Sequence, residues 1–316
     1  MSGLSLPSRA GATPLFLLSG PTASGKTELA HALADRHGLR LLSVDSMMVY
    51  RDMDIGTAKP TPAEIKTYAY AGLNLVDPGT RFSTGDWLRC VRRQLDDRPT
   101  LAVGGTGLYF RALTQGLTPD AGAEKDKKPD AEADVAALQA KIRCLDPGAL
   151  SRIADPENPR RLARALTWLQ AGKPLPQHWA DLDPVPLPVL RLPVPWLDER
   201  IRTRAAAMFA AGLLEEAARL RGHYGALPGT AAQAIGYQEA FAVLEGTLTP
   251  EAAAGAVARR TRKYAKRQRT WFRNQMAARW VDRAPESDLE GLLRGIEDIW
   301  RATGPFWFQR ETTNDG

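Results

Sequence analysis

The chain has 316 residues, of which 44% are hydrophobic and 25% charged, with only two cysteines. That is long enough for one large α/β domain with a smaller appended one and excludes a disulfide scaffold. No stretch approaches the roughly 18 apolar residues of a membrane span, and Met1 to Thr13 carries one Arg and no long apolar run, so an untargeted cytoplasmic protein is expected. The net charge is +6, yet Arg259 to Arg273 alone holds eight Lys or Arg and no acid, leaving −2 on the rest of the chain. Basicity this local points to a polyanionic partner.

The first element is the apolar run Leu15-Phe16-Leu17-Leu18, followed by Gly20-Pro-Thr-Ala-Ser-Gly-Lys-Thr27 and a helical pattern from Glu28 to Ala34. Strand, glycine loop and helix in that order make a phosphate-cradling P-loop. Its glycines let backbone N–H groups turn inward, the helix start adds a positive dipole end, Lys26 brings a full charge and Thr27 can ligate Mg²⁺. Leu41 to Val44 is a second strand, ending at Asp45. That places the carboxylate at the ligand-binding edge of a parallel sheet, although a strand-end Asp that caps its own turn is an equal alternative. Asp52 to Pro60 is polar, Gly- and Pro-punctuated, and reads as a loop over the site.

A further apolar run, Leu73 to Val76, ends at Asp77-Pro78-Gly79, and Thr84 to Leu95 is a capped helix. Leu101 to Val103 then enters Gly104-Gly105-Thr106-Gly107, followed by a helix at Leu108 to Leu113. This is a second glycine turn at the same sheet edge, read as a shared site or as a tight turn only. Alternating strands and helices specify a doubly wound parallel sheet. From Thr118 to Ala131 the composition shifts to Pro, Asp, Ala and Lys, marking a boundary. Helices follow at Glu132 to Cys144 and Arg160 to Leu169. Arg160, Arg161 and Arg164 share a face that suits phosphates or acidic neighbours equally. A strand at Val189 to Val194 returns the chain to the sheet. Leu197 to Leu220 reads as one long helix, with Arg200 and Arg204 one turn apart and solvated by default. Thr249 to about Ala278 reads as another, with Arg259, Arg262, Lys266, Arg269 and Arg273 in one stripe and Arg260, Lys263 and Arg267 on its flank. Val257, Tyr264, Trp271 and Phe272 lie opposite and would face the core.

Taken together, the P-loop, Ser43-Val-Asp-Ser46, Asp52-Met-Asp-Ile-Gly-Thr-Ala-Lys-Pro60, Gly104-Gly-Thr106 with Leu108-Tyr-Phe110, Asn158-Pro-Arg-Arg-Leu-Ala-Arg164, Ile235-Gly-Tyr237 and Lys266-Arg-Gln268 with Trp271 resemble one family in order. It is the tRNA dimethylallyltransferases, also called tRNA isopentenyltransferases, and the resemblance covers nearly the whole chain. It implies a P-loop NTPase-like doubly wound sheet in residues 1–117 and 188–316, with a smaller helical insertion for tRNA at 118–187. The implied activity is transfer of a dimethylallyl group from dimethylallyl diphosphate to the N6 amine of adenosine 37 in a tRNA anticodon stem-loop, by a monomer using Mg²⁺. Gly20, Thr22, Ala23, Ser24, Gly25, Lys26, Thr27 and Arg204 would hold the diphosphate, Thr27 the metal, and Asp45 would be the general base. Implied tRNA contacts are Asp45, Ser46, Met47, Met48, Thr106, which would face the flipped adenine, Arg160, Arg161, Leu162, Ala163, Arg164, Gln233, Ile235, Gly236, Tyr237, Lys266 and Arg269. Two features depart from the family pattern: Thr118 to Asp134 is short where a longer Arg-bearing segment is usual, and Gln233 stands where an Arg is frequent. A kinase using ATP in the same P-loop would leave the basic helix unexplained, and an RNA-binding module without catalysis would leave the phosphate site idle.

Overall fold

The computed structural model describes residues 9–117, 134–153, 155–175, 184–227 and 229–310. The low-complexity segment 118–131 therefore lies outside the described residues, and so does most of the stretch compared with the longer family segment. Two compact units are present, one formed by residues 1–114 and 184–316, the other by 115–183.

The larger unit is built on β1 (Ala12–Ser19), all eight residues of which are buried. A strand covered on both faces needs this nearly unbroken apolar run, and it is why β1 sits at the centre of the sheet. α1 (Lys26–His37), β2 (Arg40–Val44), α2 (Pro62–Thr67), α3 (Thr84–Gln94), β3 (Thr100–Gly104) and α4 (Gly107–Gln115) follow. Ser83 and Asp86 form a reciprocal capping box that starts α3, and Thr61 and Glu64 do the same for α2. β1 and β2 each pair in parallel with β3, from Leu15 opposite Thr100 and from Arg40 opposite Thr100. The run Leu73–Val76 makes no strand of the sheet; it contributes an isolated bridge between Tyr50 and Val76.

After the second unit the chain returns as β4 (Pro186–Arg191), on the other side of β1. The expected strand ends earlier than Val194, because Pro193 and Pro195 start α8 (Val194–Ala210) there. The expected single helix from Leu197 to Leu220 is two: Gly212, at φ 101°, breaks it before α9 (Leu213–Tyr224). That left-handed residue is cheap only for glycine, and the break separates two helices whose apolar stripes address different neighbours. α10 (Tyr237–Leu244) and α11 (Pro250–Gln275) complete the helical layer. α11 also stops earlier than expected, since Met276 turns extended and β5 (Ala277–Asp282) pairs in parallel with β4. α12 (Leu289–Thr303) and β6 (Phe306–Gln309) close the chain, β6 running antiparallel to the start of β1.

Among the described residues the sheet order is β2-β3-β1-β4-β5. Successive strands lie on opposite sides of β1, so the crevice at its carboxyl end is where an α/β sheet binds ligands. Leu29 and Leu33 of α1, Ile296 and Trp300 of α12, Ile201 of α8 and Val257 of α11 join Phe16, Leu18 and Leu101 in one core. The Trp300 indole donates to Leu17 O (3.0 Å), so even this buried N–H is satisfied. The second unit packs α5 (Val135–Leu145), α6 (Ala149–Arg152) and α7 (Pro159–Gln170) around Ile142, Ala149, Leu162 and Leu166. Among the described residues no helix is long and apolar enough to cross a membrane.

Candidate active site

The loop after β1 carries two left-handed residues, Ala23 at φ 62° and Gly25 at φ 83°. Alternating hands turn successive N–H groups toward one concavity, and Lys26 and Thr27 open α1 with N–H groups that have no intrahelical acceptor. The outside of the loop is braced by two arginines: Arg200 Nε donates to Ala23 O (2.7 Å), and Arg283 Nη1 donates to Ser24 O and Gly25 O (3.2 Å each). Gly25 needs glycine for its φ, and a Cβ there would also displace the Arg283 guanidinium from its brace. The Ser24 N–H donates within the loop to Pro21 O (3.2 Å), which leaves the N–H groups of Ala23, Gly25, Lys26 and Thr27 for an anion. The Arg200 bond also offsets the cost of about 1 kcal/mol that a left-handed Ala23 carries. Arg200 is thus a structural brace and not a solvated side chain. Nothing in its sequence neighbourhood marks it, and Arg283 lies too far along the chain to be suspected.

Inside the loop, Ser24 Oγ is buried with no hydrogen-bond partner among the described residues. The Thr22 N–H is already engaged by Gln268 Oε1 (2.9 Å), so of the expected anion donors Thr22 can offer only its hydroxyl. A cavity of about 690 Å³ opens here, lined by Thr22, Lys26, Thr27, Asp45, Ser46, Met47, Met48, Arg204, Gln233 and Ile235 among others. That volume lies within the range of small-molecule sites. Gly56, Thr57 and Ala58 of the loop expected over the site also line it.

Three of the charged groups lining the cavity act on one another: Lys26, Arg204 and Asp45. Burial pushes the Lys26 ammonium down to about 8, helped by the neighbouring Arg204 guanidinium and opposed by Asp45. Burial likewise lowers Arg204, with Asp45 again opposing and Arg200 adding to the effect. Two cations are therefore held together in a poorly solvated place with one carboxylate for company, a state that an incoming polyanion relieves. Asp45 Oδ1 accepts from Met47 N–H (2.9 Å) while the residue lines the cavity. Asp45 thus caps its own turn and also lines the cavity.

Thr106 stands behind this wall. Its hydroxyl accepts from Ser46 N–H (3.1 Å). Nearby on the cavity wall the Tyr264 phenol is raised to about 12 by burial and by the Asp45 charge. On α11 it is the flank and not the main stripe that reaches the cavity: Arg260, Lys263 and Arg267 line it, Lys266 is exposed elsewhere and Arg269 is half-buried. Of the expected core face Val257 and Phe272 are buried, whereas Trp271 is half-buried and Tyr264 lines the cavity. The helical stripe was legible, but which side of a basic helix faces a cavity depends on the packing of α11 against α8.

Among the expected contact residues Gly20, Ala23, Ser24, Leu162, Gly236 and Tyr237 are buried. Tyr237 is 0% exposed and its hydroxyl donates to Glu216 Oε1 (2.7 Å), so its side chain cannot meet an external RNA. Burial and that carboxylate push its phenol far above the ordinary value. Glu216, 2% exposed, also accepts the N–H groups of Asp54, Ile55 and Gly56 (3.0, 2.8 and 3.0 Å). Together they clamp the loop that lines the cavity, a role the Ile235-Gly236-Tyr237 motif conceals. Leu162 is buried in the core of the second unit. Ala23 is buried too, but acts through its backbone. Gly20 and Gly236 are backbone turns outside the cavity lining. In the second unit Arg161 and Arg164 are exposed on α7 and Ala163 is partly buried; the Arg160 side chain lies outside the described residues.

The family model for IPP transferase matches residues 48–275, and one for isopentenyl transferase matches residues 13–71. This chain belongs to the IPP transferase family. A tRNA dimethylallyltransferase of Geobacter sulfurreducens is 40% identical over 292 residues, covering 85% of this chain and 92% of the relative. Among solved structures, a full-length tRNA isopentenylpyrophosphate transferase from Bacillus halodurans is 33% identical with a TM-score of 0.63, covering 92% of this chain and 98% of that one. A eukaryotic dimethylallyltransferase acting on tRNA, 20% identical with a TM-score of 0.68 over 92% of this chain and 77% of its own, shares the fold. The IPP transferase assignment and the doubly wound P-loop sheet thus agree, and a kinase or a non-catalytic RNA-binding module no longer accounts for the chain.

Proposed function

We propose that this IPP transferase transfers the dimethylallyl group of dimethylallyl diphosphate to the N6 amine of adenosine 37 in a tRNA anticodon stem-loop, releasing diphosphate. One observation supports it above the others: a single cavity holds Lys26 and Arg204, the Asp45 carboxylate, and the basic side chains Lys263 and Arg267. As the allylic C–O bond breaks, negative charge accumulates on the leaving diphosphate. Lys26, Arg204 and free N–H groups of the braced loop would stabilise it, and the presence of both cations in the cavity lining supports this reading. The adenine amine is a weak nucleophile because its lone pair is delocalised into the ring. As its nitrogen bonds to the allylic carbon, Asp45 takes the N6 proton. A base stacked in an anticodon loop cannot enter such a cavity without being extruded, and the α11 cations would hold the flanking phosphates.

Mg²⁺ fits the residues present. Thr27 lines the cavity with Lys26 and Asp45, the buried Ser24 Oγ awaits a polar partner, and no cluster of three His, Cys, Asp or Glu is found among the described residues. A site of this kind relies on phosphate oxygens and water for most of its ligands, the pattern Mg²⁺ prefers. When bound, the ion would supply further charge to the leaving group. Incubation of the protein with tRNA and labelled dimethylallyl diphosphate should yield labelled prenylated adenosine on nucleoside analysis. Turnover of ATP to ADP without prenylated adenosine would overturn the proposal.

A further inference from the structure

The β1–β3 ladder runs in register as far as Ser19 opposite Gly104, where the Ser19 hydroxyl also donates to Gly104 O (2.9 Å). Beyond this rung the strands part, one into the phosphate loop and the other into the turn at Gly105. Gln268 of α11 stands between them, only 5% exposed. Its Oε1 accepts from Thr22 N–H and its Nε2 donates to Gly105 O, both at 2.9 Å. The carboxamide presents an acceptor to one strand-end loop and a donor to the other, as a peptide unit does in a ladder. A Cβ on Gly105 would collide with Nε2, so the turn is shaped to this amide.

The connection continues past Gly105. Thr106 N–H donates to Val44 O (3.2 Å) and the Thr106 hydroxyl accepts from Ser46 N–H, on either side of Asp45. Gly105 and Thr106 are joined by their own peptide bond, so no further link is needed. A continuous set of hydrogen bonds therefore joins the phosphate loop to the segment carrying the carboxylate.

We propose that Gln268 is a positioning residue that fixes the separation of the phosphate loop from the Asp45–Thr106 segment, and that it does so from the helix whose Lys263 and Arg267 face the cavity. The inference rests on the prenyl-transfer reading of that cavity. Prenyl transfer joins a carbon held through its diphosphate to a nitrogen whose proton leaves to Asp45, so an error in this separation lowers the rate of the step more than it lowers the affinity for either substrate. Neither an apolar side chain nor an ionised carboxylate can replace the amide, because one lacks both bonds and the other lacks the donor for Gly105 O. A protonated carboxyl can, since its O–H donates and its carbonyl accepts.

Two variants of the full chain test this, Gln268→Met and Gln268→Glu. Single-turnover transfer at saturating tRNA and dimethylallyl diphosphate should fall tenfold or more in Gln268→Met, with both dissociation constants within threefold of the parent. For Gln268→Glu the rate relative to Gln268→Met should rise as pH falls, as the introduced carboxyl gains its proton. Lys26, Asp45, Lys263 and Tyr264, the titratable groups lining the cavity, and the cations Arg204, Arg260 and Arg267 beside them are common to both variants and cancel in that ratio. A parental rate in Gln268→Met, a loss confined to tRNA affinity, or a ratio independent of pH would overturn the inference. Amide exchange gives a reading independent of activity: Thr22 N–H should exchange at least tenfold faster in Gln268→Met, with Leu17 and Leu101 unchanged as controls for folding. Unchanged protection of Thr22 refutes the bridge, whereas an inactive parent with the expected exchange refutes the prenyl-transfer reading instead. Gln268→Leu, which also lacks the acceptor for Thr22 N–H, supplies the same exchange comparison if the Met variant does not fold.

Discussion

Lys26 offers the sharpest quantitative test, because its environment opposes the charge its role requires. Lowering its ammonium from an ordinary 10.5 to about 8 corresponds to a penalty on the order of 2–3 kcal/mol for the charged form, allowing for partial hydration through the cavity mouth. The sign follows from proton binding: the folded protein holds this proton less tightly than the unfolded chain. The penalty is therefore present in full below pH 8 and is relieved as pH rises from 8 to 10.5. Lys26→Met should accordingly raise stability in chemical denaturation at pH 7, and the gain should fade across that window. Binding has the opposite demand. A diphosphate needs the protonated ammonium, so calorimetry with dimethylallyl diphosphate and Mg²⁺ should show affinity falling above about pH 8, by up to tenfold per unit. Arg204→Gln removes a repelling charge and should move the break upward; Asp45→Asn removes an attracting one and should move it downward. Affinity that stays flat from pH 7.5 to 9.5, or a break that ignores both substitutions, would refute this electrostatic account.

Asp45→Asn keeps the shape and the acceptor for Met47 N–H while removing the base, so single-turnover transfer should slow by roughly 10²- to 10⁴-fold with donor binding retained. Lys263→Gln with Arg267→Gln should weaken tRNA binding and flatten its salt dependence by about one unit of slope per lost phosphate contact, whereas Lys266→Gln with Arg269→Gln should change the slope less. Glu216→Gln cannot accept four donors and leaves buried N–H groups opposed by its own, so urea unfolding should show a loss of about 1–3 kcal/mol or more. Tyr237→Phe, which leaves the three backbone donors paired, should lose only about 1 kcal/mol by the same measurement.

The elements that depend on short-range signals were legible without a structure. Gly20 to Thr27 between an apolar run and a helix, the capped start of α3, and the turn at Gly104 to Gly107 are local in cause, since glycine φ values, side-chain caps and strand length are set within a few residues. From these the parallel sheet and the edge carrying Lys26 and Asp45 follow. What remained hidden depends on partners far apart in sequence. β5 begins one residue after α11 with no turn residue between them, and only pairing with β4 makes it a strand. The brace of Arg200 and Arg283 on the phosphate loop spans 177 or more residues along the chain. Choosing between the stripe and the flank of α11 required the packing of that helix, because helical periodicity groups residues by face but does not say what each face meets. The same limit explains Tyr237 and Gln268. A tyrosine in a motif reads as a contact and a glutamine in a motif carries no partner of its own, until tertiary structure closes one around Glu216 and sets the other between two loops of the sheet edge.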